Sequence, residues 1–201
     1  MYSPAYNQVE NRAEVVEFMR ANNFALLVTG TGGSLHGSHL PVLVHECDGK
    51  LSLDVHMARN NPQWKEFFDD EALVIFHGPH GYVSPRWYEE QKRVPTWNYA
   101  AIHAYGVPKM VTDEKAKLAG QRRLVEYMDP QWLPKFDALS PKYVSGMLNG
   151  IVNFQIPVTR LETRWKLSQN RGRREMELII EALEKGGEGP LAALMRKHLV
   201  G

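Results

Sequence analysis

Residues 24–56 read FALLVTGTGGSLHGSHLPVLVHECDGKLSLDVH, and their pattern decides the fold class. Phe24 to Thr29 is apolar and β-branched, which predicts a strand, and Thr31 to Gly33 supplies the residues of a turn. His36 to Val44 continues as a second strand, and Asp48-Gly49 is a strong hairpin signal before a third strand. Three strands joined by short turns predict an antiparallel meander.

Helices and further strands are predicted on both sides of this meander. Asn11, with Glu14 three residues later, predicts the capped start of a first helix. Changes in hydrophobic period predict the other elements. They are a short helix at Pro62 to Phe68, strands at Ala72 to His77 and Trp97 to Val107, a helix at Asp113 to Met128, a polar connection after Pro130 and Pro134, one long strand or two split near Pro157 between Ile151 and Leu167, and closing helices at Arg173 to Glu184 and Leu191 to Leu199. This order favours an antiparallel barrel with added helices over a parallel doubly wound sheet.

The composition limits the classes of function. The 201 residues suffice for one well-buried core, and a formal net charge of +1 gives no global field toward nucleic acid or an acidic membrane. The single cysteine, Cys47, excludes an internal disulfide and a cysteine-rich metal cluster. The first residues lack a signal-peptide pattern, and no segment approaches the roughly 20 apolar residues of a membrane span. We therefore expect a soluble cytoplasmic protein without a membrane partner.

Motifs for other chemistries are weak or missing. Gly30, Gly32 and Gly33 lack the spacing of a dinucleotide fingerprint, and a strand follows where a helix should begin. No serine has the context of a nucleophile elbow, and no carboxylate-rich set accompanies the close histidine pairs, so we assign no metal ligand. Haem ligation by one histidine stays open.

Two segments are candidates for ligand binding. Residues 78–106 concentrate aromatic, imidazole and amide groups, which suits either a flat ring bound by stacking or an aromatic core beneath a long loop. His56 to Trp64 joins a strand to a short helix, where free backbone amides and Arg59 can bind a phosphate. The alternative for this junction is a surface arginine beside an Asn-Pro helix start.

Together these blocks resemble the PaiB-type FMN-binding negative transcriptional regulators, a family in the flavin-binding split-barrel group that includes the pyridoxamine-phosphate oxidases. The resemblance covers nearly the whole chain. It is carried by Met1-Tyr2-Ser3-Pro4, Gly37-Ser38-His39-Leu40-Pro41, His56 to Trp64, Gly78 to Pro85 with Trp87-Tyr88, Val94 to Tyr99 with His103 to Gly106, and Lys166 to Arg171.

The resemblance implies an α+β, mainly β fold, namely a six-stranded antiparallel split barrel with added helices. It implies an FMN-binding domain over residues 1–170, with a helical extension at 171–201 packed on the same domain. It also implies a homodimer with FMN at the subunit interface. The aromatic pair Trp87 and Tyr88 is a candidate for the dimer core.

The resemblance also implies cofactor-binding residues, while no catalytic residue is assigned. Arg59 and Asn60 would bind the FMN phosphate, although the oxidase relatives have an Arg-Lys pair there, so Asn60 removes one charge. Ser38, His39 and Leu40 would lie on the strand beside the flavin, and His56 at the phosphate junction. Trp97 and Asn98 would reach the flavin ring from the other subunit. Lys166, Ser168 and Gln169 would make a further contact with the ring or the phosphate.

The family implies a flavin-dependent negative transcriptional regulator or sensor. Direct DNA binding has little support, because the sequence has no helix-turn-helix pattern and its one compact basic run is Arg171, Arg173 and Arg174. The alternative is a flavin-dependent oxidoreductase or flavin reductase that takes electrons from a nicotinamide donor or small substrate, with His80 or His103 as a proton donor. Haem binding ranks third.

Overall fold

The computed structural model describes residues 1–67, 70–90 and 92–199, and within them the fold is α+β with six α-helices and one antiparallel sheet. The helices are α1 (Arg12–Ala21), α2 (Glu114–Met128), α3 (Leu133–Asp137), α4 (Pro141–Asn149), α5 (Arg173–Lys185) and α6 (Gly189–Lys197). The strands are β1 (Phe24–Thr31), β2 (Ser34–Cys47), β3 (Lys50–Ala58), β4 (Ala72–Val83), β5 (Thr96–Gly106), β6 (Lys109–Val111), β7 (Ile151–Pro157) and β8 (Arg160–Lys166). Their order in the sheet is β6-β7-β3-β2-β1-β4-β5-β8.

The predicted meander is confirmed. β1 pairs with β2 along its whole length, and β2 pairs with β3 up to Cys47 opposite Lys50. Asp48 and Gly49 connect the last two strands with positive φ angles of 51° and 71°. A tight hairpin turn of this kind needs positive φ at both central residues, which Asp and Gly tolerate.

The chain divides into two compact units. The first consists of Met1–Asn22, Phe76–His103 and the residues from Glu162 onward, and the second of Asn23–Ile75 and Ala104–Leu161. In the first unit the ring of Phe18 packs on Trp165, with 4.6 Å between centroids. In the second unit Phe67 packs on Phe154 at the same distance. The predicted division at residue 170 is not tested by this arrangement and stays a prediction.

Helix starts follow their capping residues. The Asn11 side chain accepts hydrogen bonds from the amides of Ala13 and Glu14, and so confirms the predicted start of α1. The Asp113 side chain accepts from the amide of Ala116 at 2.8 Å and begins α2. A side-chain acceptor at this position pairs a backbone N–H that has no partner inside the helix.

The structure differs from the predictions in three places. Eight strands are present among the described residues instead of the six that the resemblance implies, and the short β6 after Pro108 was not predicted. Of the two alternatives for Ile151 to Leu167, the structure has two strands, β7 and β8, divided after Pro157. The connection predicted after Pro130 contains α3 and α4, which both begin with a proline in their first turn, where proline is favourable. β4 also extends to Val83, so the start of the aromatic segment is strand rather than loop.

The short helix near Pro62 is a 3₁₀ helix, Pro62–Glu66. Phe68, where we predicted its end, lies outside the described residues. Among the helices that the structure describes, none has the length and apolar character needed to cross a membrane.

Candidate functional site

A tightly bonded loop follows β3 in the second unit. Its amides at Arg59 and Asn61 donate to the carbonyls of Gly150 and Ala58, both at 2.9 Å. The Trp64 indole N–H donates to the Arg59 carbonyl at 3.0 Å, so the end of the loop is bonded to its beginning. These bonds fix the backbone of the predicted phosphate junction.

Asn61 connects this loop to β2. Its side-chain oxygen accepts from the Gln63 amide at 3.0 Å, and its side-chain nitrogen donates to the Ser38 hydroxyl at 2.8 Å. The predicted strand residue Ser38 is therefore joined to the predicted phosphate loop through a residue that we did not predict. The Asn-Pro pair at 61–62 was the available signal, since Asn before Pro commonly begins a helix.

Gln63 holds the loop through hydrogen bonds to β1 and β2. Only 2% of this residue is exposed, and its side-chain nitrogen donates to the carbonyls of Leu27 and His36 and to the hydroxyl of Thr29, at 3.1 to 3.3 Å. Its side-chain oxygen is buried without a hydrogen-bond partner among the described residues. Nothing in the local sequence distinguished Gln63 from a surface residue, because its partners lie on β1 and β2.

Arg59 and Asn60 are exposed at the tip of the loop. The Arg59 side chain donates from Nε to the Asn149 carbonyl at 2.6 Å and from one terminal nitrogen to the Ile151 carbonyl at 3.1 Å. A guanidinium has five N–H donors, so these two bonds orient the group and leave other donors for an anion. The remaining strand candidates lie on β2, where the exposed His39 stacks on Phe24 with 5.9 Å between centroids and Leu40 is half-buried.

His56 lines a cavity of about 390 Å³ in the second unit. Burial lowers the pKa of His56 below its ordinary value, so the imidazole is neutral at pH 7. Asn153 lies opposite His56 in the β3–β7 register, and its buried side-chain oxygen has no hydrogen-bond partner among the described residues. Both are polar groups in a lining that also contains Leu43 and Phe154.

Asp54 is fixed on the same cavity wall. One carboxylate oxygen accepts from Arg123 at 2.7 Å and lies 3.0 Å from the His45 ring nitrogen, and the other accepts from Gln155 at 2.8 Å. With these partners the carboxylate is neutralised and held, whereas the buried Asn153 side-chain oxygen has no hydrogen-bond partner among the described residues.

A second cavity of about 330 Å³ lies beneath α2, α3 and α4 and shares two lining residues with the first, His56 and Gln121. The rest of its lining is mostly aromatic and apolar: Trp132, Phe136, Leu139, Tyr143, Val144, Met147, Leu148 and Ile151. An apolar cavity with a few polar groups is the usual form of a small-molecule site.

The other predicted residues lie in the first unit. Trp97 is 48% exposed, donates from its indole N–H to the His80 Nδ1 at 3.2 Å, and stacks on the His80 ring. Tyr82 approaches its edge, with 6.3 Å between centroids. These three rings form an exposed aromatic platform. By contrast, Tyr88 of the same segment is buried, so the segment contributes both to the surface and to the core.

Asn98, Ser168 and Gln169 all make hydrogen bonds within the first unit. Asn98 is fully buried and donates to the Ser168 hydroxyl at 3.0 Å and to the Met195 sulfur at 3.4 Å, while the Ser168 hydroxyl donates back to the Asn98 side-chain oxygen at 3.1 Å. The Gln169 side chain accepts from the Leu167 amide at 2.7 Å and donates to the Trp165 carbonyl. Their polar groups are thus used within the first unit, and their cofactor role stays a prediction.

The basic run at the start of α5 is largely paired with acids. Arg173 lies 3.1 Å from Glu177, and Arg174 lies 3.1 Å from Glu89. Nucleic-acid binding needs cations that are free to neutralise phosphates. This surface therefore gives no support to direct DNA binding.

Comparison with known proteins places these features in a family. Residues 1–160 match the model of the family described as "Putative FMN-binding domain". The chain is 38% identical to the Bacillus subtilis protein named "Protease synthase and sporulation protein PAI 2", over 97% of this chain and 94% of the relative.

Two solved structures share the fold. The flavocytochrome Anf3 of Azotobacter vinelandii matches with a TM-score of 0.62 at 13% identity, over 80% of this chain and 69% of its own. The FAD- and heme-binding protein of Mycobacterium smegmatis matches with a TM-score of 0.62 at 13% identity, over 80% of this chain and 73% of its own.

Proposed function

The chain belongs to the FMN-binding domain family, so FMN is its cofactor, and we propose that the second unit holds this FMN for electron exchange with a small molecule. The observation that carries the proposal is that His56 and Gln121 line both the first cavity and the aromatic one. A ligand in the aromatic cavity and a ring in the first cavity then contact the same two side chains.

Arg59, three residues after His56, and the lining of the first cavity suit FMN chemically. Its phosphate needs charge-assisted donors, and Arg59 offers them from an exposed guanidinium that two carbonyl bonds already orient. Its ring system carries both N–H and carbonyl groups, and the unpaired Asn153 oxygen can accept from such an N–H. A buried acceptor without a partner costs free energy in the ligand-free protein, and the bound ring offsets that cost.

The chemistry follows from the protonation state of His56. FMN, when bound, supplies reversible hydride and electron transfer. A substrate that is oxidised loses a proton together with the hydride, and the neutral His56 imidazole can accept that proton at pH 7. Leu43, Leu124 and Phe154 give the lining an apolar surface against which a flat ring can pack beside His56.

The phosphate role of Arg59 is tested by Arg59→Ala. We expect FMN binding, measured by flavin fluorescence titration, to weaken by about 1 to 3 kcal/mol, because charge-assisted hydrogen bonds are lost. Arg122→Ala is the matched control, since Arg122 is an exposed arginine of the same unit whose partner is Asp137. An equal effect of the two substitutions would show that the loss is one of general charge and would move the phosphate elsewhere.

The redox role is tested by bleaching of bound flavin with NADH, NADPH and small organic donors. We expect a rate above that of free FMN. His56→Gln should lower the rate for organic donors that lose a proton with the hydride, and should leave the rates with NADH and NADPH, which release no proton, unchanged while flavin stays bound. Equal rates for protein-bound and free FMN would refute the proposal that the protein is an oxidoreductase. His80→Gln is the control, because His80 lies on the first-unit platform and is, with His103, one of the two proton donors that the sequence predicted.

A homodimer is the second part of the proposal. The rings of Trp97, Tyr82 and His80 form an exposed aromatic patch. Exposed patches of this kind commonly mark protein–protein interfaces, so the patch favours contact with a partner subunit. Trp97→Arg should shift sedimentation from dimer to monomer, whereas Trp132→Arg, at a tryptophan of similar exposure on the second unit, should not. A wild-type monomer in the presence of FMN would remove the dimer from the proposal.

Regulation is a second candidate function, favoured by the 38% identity to the sporulation protein PAI 2. A gel-shift titration at stated salt distinguishes a direct regulator from one that acts through its small molecule. Given the paired arginines at the start of α5, we expect no sequence-dependent shift. A salt-resistant, sequence-dependent shift would make DNA binding the leading function.

A further inference from the structure

The second cavity, beneath α2, α3 and α4, has an uncharged lining. Among the described residues, no aspartate, glutamate, lysine or arginine lines it. A neighbouring cavity of about 410 Å³ shares Phe136 and Leu148 with it, but that lining contains charged side chains, namely Glu114, Lys115, Arg122 and Asp137. Transfer of a charged group to a lining that offers it no partner costs free energy. The second cavity therefore favours a neutral ligand.

Three large side chains of this lining are exposed to solvent. Trp132, Tyr143 and Met147 are 45 to 58% exposed, whereas Phe136 is half-buried and Leu148 is buried. Exposed apolar side chains that line a concave site are typical of ligand-binding grooves. A flat ring in the cavity would cover part of this apolar surface.

The volume of the cavity limits the size of the ligand. An apolar cavity of about 150 Å³ accommodates benzene. The second cavity, with about 330 Å³, has room for two fused rings. A nicotinamide dinucleotide suits it poorly, because a pyrophosphate needs charge-assisted donors and this lining has no cationic side chain among the described residues.

Four polar groups interrupt the apolar lining. They are the His56 imidazole, the Gln121 amide, the Trp132 indole N–H and the Tyr143 hydroxyl, and none of these side chains has a hydrogen-bond partner among the described residues. Burial lowers the pKa of His56, so its neutral ring has one donor and one acceptor at pH 7. A ligand hydroxyl can donate to His56 and accept from Gln121, and a ligand carbonyl can accept from either.

We propose that the second cavity binds a neutral, planar ring compound of one or two fused rings with a hydroxyl or carbonyl oxygen on the ring, the class of phenols and quinones. The rings contact the aromatic lining, and the oxygen bonds to His56 and Gln121. Because these two residues also line the first cavity, the oxygen-bearing end faces the proposed FMN. This inference names the small molecule of the proposed function and rests on that function for the compound's role.

The first experiment compares probes that share one ring system. At pH 7, 2-naphthol carries a neutral hydroxyl, 2-naphthoate carries a charged carboxylate, and naphthalene has no polar group. Equilibrium dialysis of the full chain, with and without FMN, should give saturable binding of 2-naphthol, with a Kd about ten-fold or more below that of 2-naphthoate. Gln121→Leu should raise the Kd of 2-naphthol about three-fold or more and leave that of naphthalene unchanged, because only the hydroxyl loses a partner.

The second experiment tests the aromatic lining. Trp132→Ala and Tyr143→Ala should each raise the Kd of 2-naphthol about five-fold, since contacts between aromatic rings are lost. Tyr127→Ala is the matched control, because Tyr127 is an equally exposed aromatic residue of α2 outside this lining, and it should change Kd by less than about two-fold. All three substitutions are at exposed positions, and urea unfolding of each variant checks that the fold is retained.

Two outcomes would replace the proposed ligand with another occupant. Lys135 lies outside the lining but 5.1 Å from the centroid of the Trp132 ring. Tighter binding of 2-naphthoate than of 2-naphthol, lost in Lys135→Gln, would assign an anionic ligand and overturn the neutral class. A wild-type dimer that Met147→Glu converts to a monomer would place a second copy of the chain on this surface, and would also overturn the proposal.

The remaining outcomes separate this inference from the proposed electron exchange. Saturable binding of 2-naphthol without faster bleaching of flavin supports the ligand class and removes only the electron exchange. Faster bleaching without binding of 2-naphthol overturns the ligand class and leaves the electron exchange in place. Equal effects of Trp132→Ala and Tyr127→Ala would also overturn the proposal, because the probe would then bind outside the cavity.

Discussion

Asn61 offers the sharpest test of how the loop after β3 is held. Its side-chain oxygen caps the short helix through the Gln63 amide at 3.0 Å, and its side-chain nitrogen donates to the Ser38 hydroxyl at 2.8 Å. Loss of a capping residue costs about 1 kcal/mol, and loss of a neutral, partly buried hydrogen bond costs about another 1 kcal/mol. We therefore expect Asn61→Ala to lower the free energy of unfolding by about 2 kcal/mol.

A second substitution separates the two contributions. Asn61→Ser keeps a capping oxygen but is too short to reach Ser38, so it should cost only about 1 kcal/mol. Ser38→Ala removes the same inter-segment bond from the other side and should cost a similar amount. The double variant Ser38→Ala with Asn61→Ser should then be little worse than either single change, because both delete one interaction.

The assay is urea unfolding of the FMN-free protein, followed by tryptophan fluorescence, with the slope checked for constancy across variants. An Asn61→Ala midpoint equal to that of the wild-type protein would refute the reasoning. Additive costs of Ser38→Ala and Asn61→Ser would also count against it, because independent effects mean that the two side chains do not share a bond.

Further predictions concern the core and pH. Gly106→Ala would place a Cβ 2.1 Å from the Pro157 carbonyl oxygen, so we expect a loss of about 3 kcal/mol in urea unfolding. At Gly146, within α4, an added Cβ has no neighbouring atom within 4 Å. Gly146→Ala should therefore raise the free energy of unfolding by about 0.5 to 1 kcal/mol, because alanine favours the helix more than glycine does. Burial is the leading cause of a lowered pKa at three histidines, namely His56, His77 and His103. In the unfolded chain these histidines take up protons near pH 6.5, whereas in the folded state they stay neutral to lower pH. The free energy of unfolding should therefore be highest above about pH 6.5 and decrease as the pH falls below it. His56→Gln removes one of these histidines, so the free energy of unfolding of this variant should decrease less steeply.

Sequence patterns predicted the parts of the fold that depend on neighbours in the chain. The hairpin at Asp48-Gly49, the cap at Asn11 and the β-branched, apolar run that forms β1 each rest on preferences within a few residues. Local preference and tertiary structure agree there, so the pattern alone was sufficient.

The missed features depend on contacts between distant segments. Gln63 is polar and follows a proline, a pattern that is typical of an exposed residue. It is nevertheless buried, because hydrogen-bond acceptors on β1 and β2 surround its side-chain amide. The helix α4 was missed because its apolar face packs only once β7 is in place, while its sequence carries Pro141 and Gly146. In both cases tertiary packing overrides local propensity.

Arg59 illustrates why a site residue named from a motif still needs its geometry. Its guanidinium bonds the carbonyls of Asn149 and Ile151, so the side chain that is proposed to hold phosphate also ties the loop to the end of α4 and the start of β7. Weaker FMN binding in Arg59→Ala can therefore arise from a lost contact or from a loosened loop. Unfolding of the FMN-free variant separates these causes, because only the second lowers its stability. Arg59→Lys sharpens the distinction, since an ammonium keeps the charge for the phosphate but lacks the planar fork that reaches both carbonyls.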